Sequence, residues 1–145
     1  MSVKINDLMC FNFYKGWREI TSFYKSILGV DVTPQKMYVL ELLELDKQIT
    51  MNELSEGMNL DSSAASTLVS RMEKNTLVKR VHGTEDRRTV FVKLTQEGYD
   101  MREKIRSKFD RLTDAISEDI NSEDITNLQK IRKKIESNHK KLPSK

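Results

Sequence analysis

Between Leu77 and Leu94 the apolar pattern changes its period, and that change limits the available folds more than any other feature of the chain. Before it, apolar residues recur every three or four positions, as along the buried stripe of a helix. From Leu77 to His82, and again from Thr89 to Leu94, the residues become β-rich and alternate. They flank the polar tip Gly83-Thr84-Glu85-Asp86-Arg87-Arg88. Two such runs around a short polar loop predict a β-hairpin. After Thr95 the helical spacing resumes. The expected fold class is therefore mainly α with one small hairpin. A chain of 145 residues with 32% charged residues, 5 Gly and 2 Pro suits one helical domain. Its single cysteine, Cys10, rules out an internal disulfide framework and fits a reducing compartment. No uncharged run is longer than Ser62 to Ser70, too short to span a bilayer. Asp7 falls where a signal peptide needs an apolar stretch. A cytoplasmic protein without membrane association is expected.

Near the N-terminus Ile5, Leu8, Met9, Phe13, Tyr14, Trp17, Ile20, Tyr24, Ile27 and Leu28 form one apolar stripe, which Phe11 and Phe23 broaden. A helix apolar over so much of its circumference is buried on several sides, which in a small chain implies a partner subunit. Thr33-Pro34 starts the next helix, with a capping hydroxyl and then proline at the first helical position. That helix is expected to run to about Leu45. Thr50 and Glu53 form a capping box that opens a short helix to Met58. A turn at Asn59-Leu60 leads to Asp61, the cap of a further helix. This one buries Ala65, Leu68 and Met72 and exposes Ser62, Ser63, Ser66, Thr67, Ser70 and Arg71. Thr95 caps a long helix carrying Tyr99, Ile105, Phe109, Leu112, Ile116 and Ile120. The last helix opens at Ser122 with Ile125, Leu128, Ile131 and Ile135, and a frayed tail is expected around Pro143 and Lys145.

Two short helices joined by a tight turn, followed by a hairpin with a basic tip, make the winged helix-turn-helix plan. The second helix of such a pair can enter the major groove of DNA, about 12 Å wide. Ser62, Ser63, Ala64 and Ser66 at its start are small enough for close approach, and their hydroxyls can read base edges. Arg71 and Lys74 lie further along, suited to phosphates. Arg87 or Arg88 at the tip can reach an adjacent minor groove, where the negative potential favours arginine. The charge distribution agrees. Seven bases face three acids between Arg71 and Lys93, whereas two bases face six acids between Asp31 and Leu60. Double-stranded DNA is the partner this predicts.

Other classes fare worse. His82 and His139 are the only histidines, and there is no HExxH, glycine-rich phosphate loop or nucleophile elbow. No catalytic residue, cofactor or metal is expected, since Cys10, His82 and His139 lack any short ligand spacing. A winged-helix module used only for protein contacts is the other reading. It would not need Arg87 and Arg88.

The run Asp86-Arg87-Arg88-Thr89-Val90-Phe91-Val92-Lys93-Leu94-Thr95 resembles the wing signature of the MarR (multiple antibiotic resistance regulator) family. Thr33-Pro34-Gln35 through Val39-Leu40 resembles that family's second helix. Asp61 to Glu73, followed by Leu77-Val78, resembles its recognition helix and the start of its wing. The resemblance spans nearly the whole chain. It implies a homodimeric transcriptional regulator, most simply a repressor, on a pseudo-palindromic operator. Residues 33–95 would form the DNA-binding lobe, and residues 1–32 and 96–145 the dimerisation helices. It further implies that Ser62, Ala64 and Ser66 face bases, that Arg71 meets a phosphate, and that Asp86 orients Arg88 into the minor groove. Ala64 stands where the peroxide-sensing branch carries a hydroxyl residue.

Leu8-Met9-Cys10-Phe11-Asn12-Phe13-Tyr14 resembles the start of that branch, the organic hydroperoxide resistance repressors and their redox-sensing relatives. There a first-helix cysteine is oxidised and DNA is released. By this resemblance Cys10 would be the sensor, with Tyr14 and Tyr24 as two tyrosines of its pocket. Pro34 occupies the place of a third. Oxidation to sulfenic acid would add bulk and polarity at a tight interface. The alternatives are that Cys10 is a small packed residue, and that the effector is a small aromatic molecule held between the DNA-binding lobe and the dimer helices.

Overall fold

The computed structural model describes residues 3–29 and 31–144. The expected fraying at Lys145 lies outside them, as do Met1, Ser2 and Val30. The chain divides into two compact units, one ending at Leu112 and the other beginning at Thr113.

In the first unit a single 3-10 turn (Ile5–Asp7) precedes α1 (Met9–Leu28). The N-terminal apolar stripe is thus broken at Leu8, and Cys10 lies in the first turn of α1. Of the stripe, α1 buries only Tyr24 and Leu28. Met9, Phe13, Tyr14 and Trp17 remain exposed on this chain.

Helix α2 (Pro34–Leu42) starts as expected, with the Thr33 hydroxyl accepting from the Lys36 N–H at 3.2 Å. It stops at Leu42, earlier than the sequence suggests. The cause is distant in sequence. Arg102, 8% exposed, donates through Nη1 to the carbonyls of Leu43 (2.5 Å) and Leu40 (3.3 Å). A guanidinium over these carbonyls satisfies groups that a continuing helix would have bonded itself.

The short strand β1 (Ile49–Thr50) runs straight into α3 (Met51–Met58), whose Thr50/Glu53 capping box is fully formed. Asn59, at φ 52°, turns the chain in the left-handed region that asparagine tolerates. Helix α4 (Ser62–Lys74) follows, capped by Asp61, which accepts from the Ala64 N–H at 2.7 Å. Strands β2 (Val78–His82) and β3 (Val90–Leu94) form the expected hairpin. The sheet nevertheless has three strands, not two, in the antiparallel order β1-β3-β2. Ile49 pairs with Val92, and Arg80 pairs with the same residue from the other side.

Between α4 and the wing, Thr76 adopts φ 61°. The Thr76 N–H donates to the Glu73 carbonyl and the Leu77 N–H to the Met72 carbonyl, both at 3.0 Å. This is a Schellman closure with a β-branched residue where glycine is usual. The same corner receives the other end of the wing. Thr95 donates through Oγ1 to the Thr76 carbonyl (2.5 Å) and through its N–H to the Leu77 carbonyl (3.2 Å).

Thr95 caps α5 (Gln96–Ser107), and α6 (Phe109–Ile116) follows after Lys108. The single long helix expected after Thr95 is therefore two. Val39, Leu43, Val69, Met72 and Val92 are fully buried in the first unit and fix α2, α4 and the sheet around one core. In the second unit α7 (Ser122–Lys140) is capped by Asn121 and Asp124 in a capping box. Its row Ile125, Leu128, Ile131 and Ile135 is exposed on this chain. No helix among the described residues is long and apolar enough to cross a membrane.

Candidate nucleic-acid interface

Helix α4 sorts its residues by face as its sequence predicts. Ala65, Leu68, Val69 and Met72 are buried, which turns Ser62, Ser63, Ala64, Ser66, Thr67, Ser70, Arg71 and Lys74 outward. The hydroxyls are not equivalent. Thr67 donates to the Ser63 carbonyl at 3.0 Å, so its oxygen is left to accept. The Ser66 oxygen accepts from Arg80 Nη2 at 3.0 Å, so its O–H is left to donate.

The wing tip is organised by one carboxylate. Asp86 Oδ1 accepts from the Arg88 N–H at 2.9 Å and from Arg88 Nε at 3.2 Å. These bonds, the backbone one foremost, hold the Asp86 carboxyl below its ordinary titration range. They also orient the Arg88 side chain while leaving it 92% exposed. Arg87 is exposed beside it, and its carbonyl lies 3.1 Å from His82 Nδ1.

Ser62, Ser66, Asp86 and Arg88 line one cleft of about 610 Å³ between α4 and the wing, with Thr50, Asn52 and Arg80. Thr67, Ser70, Arg71 and Lys74 line a second, open hollow further along α4. The sequence gives no reason to place Asn52 in the site, and it marks Thr50 only as a helix cap. Arg80 counted only as part of a basic stretch. Its placement depends on the seven-residue span from Glu73 across the Schellman corner, which local sequence does not encode.

Of the three residues assigned to sensing, Cys10 and Tyr14 lie one turn apart near the start of α1 and Tyr24 lies near its end. Cys10 is exposed. Tyr14 is exposed and stacked on Phe11, ring centroids 6.1 Å apart. Tyr24 is buried, with its hydroxyl 3.6 Å from Met37 Sδ. Burial, and then the neighbouring Tyr38 hydroxyl, push the Tyr24 phenol up to about 12. Tyr38, one turn beyond Pro34 on α2, thus supplies a hydroxyl partner that the sequence reading did not identify.

A capped helix with an exposed hydroxyl face, joined through a tight turn to its support helix and flanked by a basic β-wing, defines a winged helix-turn-helix regulator. Residues 32–90 match the MarR family. The chain is 32% identical over 103 residues to the organic hydroperoxide resistance transcriptional regulator of Bacillus subtilis (strain 168), covering 70% of each. It is 24% identical over 133 residues to the HTH-type transcriptional regulator MgrA of Staphylococcus aureus, covering 90% of this chain and 89% of that one. Among solved structures it resembles the PcaV transcriptional regulator from Streptomyces coelicolor in complex with its natural ligand. The TM-score is 0.81 at 15% identity, over 94% of this chain and 97% of that one. It also resembles a cysteine-to-serine mutant of MarR from E. coli complexed with operator DNA. There the TM-score is 0.76 at 21% identity, over 92% of this chain and 99% of that one. The chain belongs to the MarR family and is a transcriptional regulator of that family.

Proposed function

We propose that the protein is a homodimeric repressor that binds a pseudo-palindromic operator and is released by oxidation of Cys10. The observation that carries DNA binding is the cleft in which the exposed start of α4 faces the Asp86-oriented Arg88. In this reading Ser62, Ser63, Ala64, Ser66, Thr67 and Ser70 approach base edges, Arg71 and Lys74 meet phosphates, and Arg87 and Arg88 reach the minor groove. Two copies would set their recognition helices about 34 Å apart, one turn of DNA.

Two unpartnered apolar rows support the dimer: Met9, Phe13 and Trp17 on α1, and Ile125, Leu128, Ile131 and Ile135 on α7. Residues 1–32 and 96–145 are then the dimerisation region and residues 33–95 the DNA-binding lobe. A dimer seated on a promoter blocks polymerase without further parts, which favours repression.

The redox step rests on the exposure of Cys10 at the start of the apolar α1 row and on the likeness to the Bacillus subtilis organic hydroperoxide resistance regulator. The Cys10 thiolate would take the terminal oxygen of an organic hydroperoxide, release the alcohol and become a sulfenic acid. With no second cysteine in the chain, a small thiol would attack the sulfenic sulfur, expel its oxygen as water and complete a mixed disulfide. The added bulk would disturb the apolar row. The test is fluorescence anisotropy of reduced protein on labelled DNA from its own upstream region, followed by stoichiometric organic hydroperoxide. The complex should form and then dissociate, while Cys10→Ser protein stays bound. A complex that ignores peroxide removes the switch and leaves a small-molecule effector as the reading. Absence of any complex removes DNA binding itself.

A further inference from the structure

The recognition helix and the wing are linked by a side-chain lock centred on Arg80. One carboxylate, Glu73 near the end of α4, accepts from the Arg80 N–H through Oε2 (2.9 Å) and from Arg80 Nη1 through Oε1 (3.0 Å). The other arm of the guanidinium reaches back two helical turns along α4. Nη2 donates to the Ser66 carbonyl (2.9 Å) and to Ser66 Oγ (3.0 Å). Arg80 therefore lies along one face of α4 between residues seven positions apart, with its own backbone held in β2. The planar fork of arginine can span both partners at once, which a lysine ammonium cannot.

We propose that Arg80 is a positioning residue that fixes the wing against the recognition helix and presents the Ser66 hydroxyl to DNA as a donor. This rests on the DNA-binding reading above and deepens it, by naming the kind of base edge selected at one position. With its oxygen accepting from Arg80, Ser66 seeks an acceptor in the major groove: guanine O6 or N7, adenine N7 or thymine O4. The exocyclic amino groups of cytosine and adenine would have to share the Ser66 oxygen with Arg80 and leave its O–H unused, so they are disfavoured. Arg80 is neutralised by Glu73 and half-buried beneath the cleft, so it acts on base choice and not on phosphate attraction. The lock also matches the charge of Glu73, a carboxylate beside the proposed DNA-binding face, within the protein.

The test is selection from a randomised duplex library by the full-length protein, followed by affinities for the selected site and its single-base variants across a salt series. Wild type should enrich a site and prefer an acceptor-bearing base at one position per half-site. Arg80→Lys keeps the charge and breaks the fork. Its preference at that position should fall about 3- to 10-fold, the worth of one hydrogen bond, with the salt slope unchanged. Ser66→Ala, an exposed helix position that tolerates alanine, should lose the same preference, and the double variant should lose no more than either single one. Glu73→Gln unmasks the Arg80 charge and should bind non-specific DNA at least as tightly as wild type while discriminating less. Preference retained in Ser66→Ala overturns the proposal even if Arg80→Lys fails to fold. So does a salt slope that changes in Arg80→Lys, or a loss spread evenly over all positions. If wild type enriches no sequence, the DNA-binding reading falls and this proposal falls with it. Enrichment by wild type with unchanged preferences in the variants overturns this proposal alone.

Discussion

Gly98 sits in the first turn of α5, where helix propensity alone favours alanine by about 1 kcal/mol. The corner between α4, the wing and α5 reverses that expectation. A Cβ on Gly98 would lie 2.0 Å from the Leu77 carbonyl oxygen, 3.0 Å from its carbon and 2.7 Å from Leu94 Cδ1. The first two are backbone atoms at the start of the wing, so no rotamer change relieves the overlap. Helix α5 must move outward by more than an ångström. That movement strains two bonds, Thr95 N–H to the Leu77 carbonyl (3.2 Å) and Thr95 Oγ1 to the Thr76 carbonyl (2.5 Å). Each is worth about 1 kcal/mol, and overpacking a closed site adds about 1–3 kcal/mol. After the propensity gain, Gly98→Ala should destabilise the fold by roughly 2–4 kcal/mol, lowering Tm by about 6 to 12 °C at this chain length. Urea unfolding at fixed protein concentration reads it as a lower midpoint with the slope unchanged. Gly16 on α1 is the contrast, because a Cβ there meets nothing within 4 Å on the chain. Gly16→Ala should be neutral or stabilising. A Gly98→Ala protein as stable as wild type would refute the account of this corner.

Thr76→Gly acts on the same corner with the opposite sign. It removes the left-handed strain of a β-branched residue at φ 61° and should stabilise by about 0.5–1 kcal/mol in the same urea assay, net of the freedom glycine gains unfolded. Tyrosinate absorbance should show a phase near 12 from Tyr24, above the ordinary 10.0. A folded value raised above the unfolded one stabilises fully below the ordinary value and is lost as pH rises through the folded value. Alkaline unfolding should therefore soften in Tyr24→Phe, and the absorbance phase near 12 should vanish. Asp86→Ala leaves the charge of Arg88 but not its orientation, so DNA affinity should drop severalfold at every salt concentration with little change in slope. Leu128→Glu should yield monomers by light scattering, because the α7 row is then broken by a charge at its centre; an unchanged dimer would remove α7 from the proposed interface.

The sequence was most legible where a structure is closed by its neighbours in the chain. Thr33, Thr50 with Glu53, Asp61 and Thr95 each bond a backbone N–H three residues on, so side-chain chemistry alone announces the start of the helix. The outward face of α4 and the Asp86–Arg88 pair were legible for the same reason, since they span only a turn or two. What was missed depends on contacts distant in sequence. Strand β1 has two residues and exists because Ile49 and Thr50 pair with Val92 and Phe91. Helix α2 stops at Leu42 because Arg102 caps it from about sixty positions away. The break at Lys108 has neither glycine nor proline to mark it, and Ile105, Phe109 and Leu112 keep helical phase across it. Arg80 and Tyr38 were invisible as partners because Ser66 and Tyr24 lie fourteen positions away from each in sequence.

The most direct measurement of the central claim is the salt dependence of DNA affinity, wild type against the Arg87→Ala/Arg88→Ala double variant, on the protein's own upstream region. For wild type the logarithm of affinity should fall linearly with the logarithm of salt concentration, and the variant should bind more weakly with a shallower slope. A wild type without salt-dependent binding, or a double variant matching wild type in affinity and slope, would contradict that claim and leave the winged helix as a surface for protein contacts.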